Sequence, residues 1–180
     1  MRPLALAALS FLLLALESER LLAQTTPTDS PRASPATGSK LLTLSLSHTS
    51  AAPGATDALV VLLNSSMDNE PLALQWQISY PSPQIGIDNR QIAADNAAKS
   101  VGKKVTCAGK PEGASAYTYT CIAAGGTKPM HSGPIARFPL RVRETARTGM
   151  VTITLTGAMS VRAGGLSTKL ADSTATLQIR

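Results

Sequence analysis

The segment 72–87 constrains the fold of this chain more than any other. In its first half, an apolar side chain stands at every second position: Leu72, Leu74, Trp76, Ile78 and Tyr80. A period of two is typical of a β-strand with one buried face, so this pattern places the chain's only tryptophan in a core. A Pro-Ser-Pro turn then ends the strand, and a second short apolar run follows at 85–87.

Similar strand patterns recur along the rest of the chain, at 41–48, 58–64, 103–108, 117–123, 135–143, 150–157 and 174–180. The run 58–64 is continuously apolar, which predicts a central strand that is covered on both faces or nearly so. Only 88–101 has helical propensity, and we expect a loop or a single turn there. The sequence therefore predicts an all-β fold, a two-sheet sandwich of jelly-roll or Greek-key type with about nine strands.

The N-terminal part of the chain predicts export. Residues 1–23 begin with a basic residue, run apolar from 4 to 16 and end in Leu-Leu-Ala, which is typical of a cleavable signal peptide. Charged residues at 17, 19 and 20 are unusual there, so an uncleaved anchor and a mis-assigned start codon remain alternatives. Residues 24–40 are rich in Pro, Ser and Thr and predict a disordered linker. The sandwich domain then spans 41–180, and no later segment could cross a membrane. These features predict a secreted, periplasmic or cell-envelope protein.

The chain has two cysteines, Cys107 and Cys121. In an exported protein an even number of cysteines predicts a disulfide, here across the loop of a hairpin. Such a closed loop would stabilise the fold by about 3 kcal/mol in the chain-entropy account. A metal site is the alternative, but no histidine or carboxylate accompanies the two thiols to complete one.

The composition gives no sign of an enzyme or of a nucleic-acid-binding protein. The net charge is +6, but the basic residues are scattered and aromatic residues make up only 3% of the chain, too few for a stacking platform. The two histidines, His48 and His131, have no nucleophile motif such as Gly-x-Ser-x-Gly to accompany them. Asp68 and Glu70 are close in sequence and could at best contribute to a calcium site; otherwise no metal and no cofactor is predicted.

Two sets of residues are candidate ligand-binding groups. Tyr117 and Tyr119 flank a glycine-containing loop and could stack on sugar rings, although packing over the disulfide is the simpler role. Arg137, Arg141 and Arg143 lie on one face of one predicted strand. They could form a docking stripe for an acidic glycan or protein, although a solvated outer face is the simpler interpretation.

The order of several short motifs resembles the cohesin family, a nine-stranded jelly-roll sandwich of secreted bacterial proteins. The motifs are a Pro53-Gly54 turn before an apolar strand that ends in Asn64, the tryptophan strand with its proline turn, a Ser132-Gly133 step before an apolar strand, and a Gly-started Thr-Ile-Thr strand at 149–155. The wider superfamily includes carbohydrate-binding modules. The resemblance implies adhesion without catalysis, since cohesins of cellulosome scaffolds bind calcium-loaded dockerin modules.

The chain departs from the family at the recognition strand. Dockerin-binding members carry an Asn-x-Asp pair before a Tyr-Asp-Pro motif; aligned on Tyr80, the pair falls on Ala73 and Gln75, and Pro81 replaces the acid. Dockerin binding is therefore in doubt even within the resemblance. We expect an exported, non-catalytic module that binds an extracellular protein, with polysaccharide binding, linked to polysaccharide breakdown, as the alternative.

Overall fold

A computed structural model describes residues 42–180; the predicted signal peptide (1–23) and linker (24–40) lie outside the described residues. Within the described residues, strands alternate with short turns. The elements are β1 (Leu42–Leu46), β2 (Thr49–Ala51), β3 (Thr56–Ser65), β4 (Ala73–Pro81), β5 (Ile85–Ile87), β6 (Ala93–Ala94), α1 (Asn96–Lys99), β7 (Lys104–Glu112), β8 (Ala116–Ala124), β9 (Gly133–Val142), β10 (Gly149–Val161), β11 (Ser167–Lys169) and β12 (Ser173–Ile179). No helix in this part of the chain is long and apolar enough to cross a membrane.

The strands form two sheets. The smaller sheet has the order β1-β3-β9-β5, with β6 also paired to β9. The larger sheet has the order β2-β12-β10-β4-β8-β7, with β11 also paired to β10. All pairs are antiparallel except β2 with β12. The all-β two-sheet sandwich is confirmed, and the described strands exceed the predicted nine because three short ones, β2, β6 and β11, lie in segments that resemble loops.

The core lies between the two sheets and is filled by one side of each strand, as the period of two requires. Trp76 and Phe138 are the largest fully buried side chains, one from each sheet. The prediction for 58–64 is wrong in one respect. β3 is central in its sheet, but only one of its faces is covered, and Leu62 on the other face is 36% exposed. A continuous apolar run does not distinguish a strand covered on both faces from one with an exposed apolar face.

The hairpin of β7 and β8 is longer than its sequence suggests. The predicted loop began at Gly109, yet β7 continues to Glu112 and β8 begins at Ala116. Glycine is needed inside this strand because the neighbouring rings lie over it: a Cβ at this position would stand 2.5 Å from Cε1 of Tyr119 and 2.6 Å from Cε1 of Tyr117. A glycine in a strand can mark such a close approach as well as a turn.

The predicted disulfide is present in the structure. Cys107 and Cys121 are directly opposite each other in the β7–β8 pair, with their Cα atoms 4.1 Å apart. The bond ties the edge strand of the larger sheet to its neighbour. Neither cysteine is free to be a metal ligand.

Candidate functional site

The outer surface of the larger sheet has an unusual composition. None of the residues in its four adjacent strands β12, β10, β4 and β8 is charged. Short polar side chains cover most of this surface, among them Gln75, Gln77, Ser79, Thr120, Thr152, Thr154, Thr156, Thr174 and Thr176. Lysines appear only on the flanking strands, as Lys104 and Lys110 on β7 and Lys169 on β11. We call this surface the larger-sheet face.

Three large apolar side chains are exposed at one end of the larger-sheet face. Ile122 of β8 is 46% exposed, Met159 of β10 is 40% exposed and Val161 of β10 is 36% exposed. Gln75 of β4 is paired with Met159 on one side and with Ile122 on the other, so these residues form one row across three strands. Val161 is paired with Ala73, two residues along. We call Ile122, Met159 and Val161 the apolar cluster.

A β-bulge brings part of the apolar cluster to the surface. The register of β10 against β4 shifts between Thr156 and Met159, where Gly157 has a φ of +59° and Ala158 is buried. The extra residue reverses the alternation of the strand, so Met159 and Val161 face outward beyond the bulge. The Gly157 amide donates a hydrogen bond to the Asp172 carboxylate (3.2 Å), which holds the bulge from outside the sheet.

The two predicted tyrosines occupy different environments, and one of them is not available to a ligand. Tyr119 is only 3% exposed, and its hydroxyl donates a hydrogen bond to the Ile87 carbonyl oxygen (3.0 Å). Its ring packs with those of Tyr80 and Tyr117, with centroids 5.2–6.3 Å apart. Burial raises the pKa of both the Tyr119 and the Tyr80 hydroxyl. The ring of Tyr119 therefore has a packing role, the simpler of the two interpretations of this residue, because its inner-face position beside Gly109 places it in the core. Tyr117 is half-buried.

All three predicted arginines are exposed, and each has a partner within the protein. Arg137 forms an ion pair with Asp95 (Nη2–Oδ2, 3.2 Å), and Arg141 forms one with Glu144 (Nη2–Oε1, 3.3 Å). Arg143, just beyond the end of β9, donates from Nε to the Ser82 carbonyl oxygen (2.8 Å). The structure brings these arginines to the outside of the smaller sheet, away from the larger-sheet face.

The two histidines have different partners. The Nδ1 atom of His48 lies 3.0 Å from Oγ1 of Thr176, whereas Nδ1 of His131 lies 2.5 Å from Oε1 of Glu70. In the described part of the chain, no group of three or more His, Cys, Asp or Glu side chains could hold a metal ion.

Sequence reasoning missed the apolar cluster, although a signal for part of it is present. Ile122 lies between Cys121 and Ala123, which are both buried, so alternation alone assigns it to the outer face. An apolar residue at an outward position next to uncharged neighbours is the pattern that identifies it. Met159 and Val161 could not be placed in this way, because the predicted strand ended at Gly157 and the bulge reverses the alternation.

Structural comparison identifies the fold. This chain is similar to a non-cellulosomal cohesin from the archaeon Archaeoglobus fulgidus, with a TM-score of 0.62 and 16% identity over 77% of this chain and 91% of that one. It is also similar to the sixth cohesin of scaffoldin B from Acetivibrio cellulolyticus, solved in complex with a dockerin (TM-score 0.62, 11% identity, 77% and 99% covered). A third similar structure is the cohesin module of a family 33 glycoside hydrolase from Clostridium perfringens (TM-score 0.62, 12% identity, 78% and 98% covered).

These likenesses show that the chain has the cohesin fold, as its sequence motifs suggested. No protein-family model and no curated protein matches the sequence.

Proposed function

We propose that this protein is a non-catalytic binding module that attaches to a protein partner through the larger-sheet face. The observation that carries the proposal is the apolar cluster, which lies exposed within four strands that contain no charge. The cores of protein interfaces are depleted in charged residues and enriched in large apolar side chains, including methionine. When a partner covers such a surface, its apolar side chains are removed from water, and this burial favours the complex.

The apolar cluster also suggests what kind of partner binds. The positions that match the family's recognition pair, Ala73 and Gln75, are paired directly with Val161 and Met159. The polar chemistry of dockerin recognition is therefore replaced here by an apolar cluster at one end of an uncharged polar surface. We infer a protein partner that presents apolar side chains to this cluster. One of the similar structures is itself described as non-cellulosomal, so the fold is also found outside cellulosomes.

Two features support the proposal that the module is exported. The predicted signal peptide at 1–23 would direct the chain out of the cytoplasm. The Cys107–Cys121 disulfide is a bond that persists in oxidising compartments. We therefore place the interaction in the extracellular space or the cell envelope.

Polysaccharide binding, the alternative, receives less support. Stacking on sugar rings needs accessible aromatic faces, and among the described residues Tyr119, Tyr80, Trp76 and Phe138 are buried. Among the described aromatic residues, Tyr117 alone is partly accessible. The prediction of a carbohydrate ligand remains, but a protein partner suits the surface better.

A matched pair of variants tests the proposal. The partner is first isolated from secreted and envelope fractions on the immobilised full-length chain, with and without EDTA, and its affinity is then measured by calorimetry. Val161→Lys should weaken the complex by about 30-fold or more, because it puts a charge into a desolvated centre. Leu62→Lys is the control, since Leu62 is equally exposed (36%) but lies on the smaller sheet. Equal affinities of the two variants would refute the proposed interface.

A further inference from the structure

A cleft adjoins the apolar cluster where β10 ends and β4 begins. Its volume is about 360 Å³, and Met67, Leu72, Pro129 and Leu166 form much of its apolar wall. Met67 is 91% exposed and Leu166 is 62% exposed, so two large apolar side chains stand at its rim. The wall also contains one basic side chain, Arg162.

Arg162 has a hydrogen-bonding group for which no described residue supplies an acceptor. Its side chain is half-buried, and its Nε atom is buried without a hydrogen-bond partner among residues 42–180. It forms no ion pair with any other described residue, in contrast to Arg137 and Arg141. A buried N–H of a charged group without an acceptor costs free energy, and a carboxylate is the acceptor that best matches a guanidinium.

Two carboxylates line the same cleft, and both have interactions of their own. Glu70 lies 2.5 Å from the His131 ring, between Oε1 and Nδ1. Asp68 has an interaction of its own as well. Neither forms an ion pair with Arg162 in the described part of the chain. The residues that the structure describes therefore supply no acceptor for Nε of Arg162, and a bound ligand could provide one.

The cleft is continuous with the larger-sheet face. Leu72, in the cleft wall, donates its backbone N–H to the Val161 carbonyl oxygen (2.7 Å), and Arg162 directly follows Val161 in sequence. A partner that covers the apolar cluster would therefore also lie over the cleft.

We propose that this cleft binds a carboxylate that the protein partner carries next to an apolar side chain. Arg162 binds the carboxylate, and Met67 and Leu166 cover the apolar group. This inference rests on the proposed function and adds to it an acidic anchor at the edge of an otherwise uncharged interface.

The experiment uses a small probe, so that it does not depend on the partner. N-acetyl-leucine, which has a carboxylate and an apolar side chain, is titrated into the isotopically labelled full-length chain and followed by NMR. A ligand of this size should bind in about the millimolar range. We expect saturable shifts of the backbone amides of Met67 and of residues 163–166. N-acetyl-leucinamide, which lacks the charge, should bind at least about tenfold more weakly.

Two arginine variants are the matched pair for this titration. Arg162→Gln should remove the response to the acid, whereas Arg147→Gln, an exposed arginine near the opposite end of β10, should leave it unchanged. Equal shifts from acid and amide, shifts that survive Arg162→Gln, or no shift at these amides would each overturn the inference.

A third variant separates this inference from the proposed function. Ile122→Lys should lower the affinity for the partner but leave the affinity for N-acetyl-leucine within about twofold, since Ile122 does not line the cleft. If the probe fails while Ile122→Lys still blocks the partner, only the acidic anchor is wrong. If Ile122→Lys leaves partner affinity intact, the larger-sheet face is not the interface.

Discussion

The outer surfaces of the two sheets differ in whether their most prominent side chains have interaction partners within the described chain. The smaller sheet carries the arginines that attract attention in the sequence, yet Arg137, Arg141 and Arg143 each interact with a group of the same chain. The larger sheet carries no charge in four strands, yet the three side chains of its apolar cluster are 36–46% exposed. A site is indicated by groups whose interactions are incomplete, and charge by itself is a poor guide to one.

The largest expected effect concerns the edge of the larger-sheet face. Replacing Cys107 and Cys121 by alanine should lower the free energy of unfolding by about 3 kcal/mol, because the unfolded chain regains the entropy of an open loop. Among the described strands β7 pairs only with β8, so loss of the bond should also accelerate amide exchange in β7 more than in β3 and β9. Urea denaturation and hydrogen exchange measure the two effects.

The reduced wild-type chain is the control for this double variant, because it keeps the native side chains and lacks only the bond. A loss of less than about 1 kcal/mol in both proteins would mean that the bond does not hold the edge strand. If loss of the bond accelerated amide exchange equally in both sheets, β7 would not be a weakly held edge strand.

The second prediction concerns the middle of the apolar cluster. Gln75→Asp should lower partner affinity by about tenfold, because it puts a carboxylate between Met159 and Ile122 in a surface that the partner desolvates. The free energy of unfolding should change by less than about 0.5 kcal/mol, since Gln75 is exposed. Calorimetric titration and urea denaturation measure the two quantities.

Leu62→Asp makes a comparable change on the smaller sheet and should leave partner affinity within about twofold. A larger loss of partner affinity from Leu62→Asp than from Gln75→Asp would mean that the partner binds the smaller sheet.

Much of the fold follows from the sequence because burial on one side of a strand leaves a period of two. Trp76 was placed in the core by this argument, and the disulfide followed from the cysteine count and the predicted compartment. The length of β7 could not be predicted, because Gly109 resembles a loop residue although the strand continues to Glu112. The need for glycine there arises from rings on the neighbouring strand, a contact that local sequence does not record.

The candidate site could be predicted only in small part. Ile122 has an outward position that alternation reveals, but Met159 and Val161 depend on the bulge at Gly157. The cleft depends on segments far apart in sequence, around Met67, Pro129 and Arg162. Arg162 carries no distinguishing pattern in the sequence, since what sets it apart is an Nε atom to which the described residues offer no acceptor.

The smallest expected effects distinguish two arginines of the smaller sheet. Arg137→Gln should lower the free energy of unfolding by about 1 kcal/mol, because it takes a charged partner from Asp95, whose side chain is only 12% exposed and also accepts a hydrogen bond from the Asn96 amide at the start of α1. Arg141→Gln should change it by less than about 0.5 kcal/mol, because Arg141 and Glu144 are both well exposed to solvent. Urea denaturation resolves the difference between the two variants.

Neither arginine variant should change partner affinity, at low or at high salt. A tenfold loss that diminishes as salt is added would show that the partner is acidic and contacts these arginines directly. The predicted docking stripe would then be the interface, and the partners that Arg137 and Arg141 have within the chain would be exchanged for the ligand on binding.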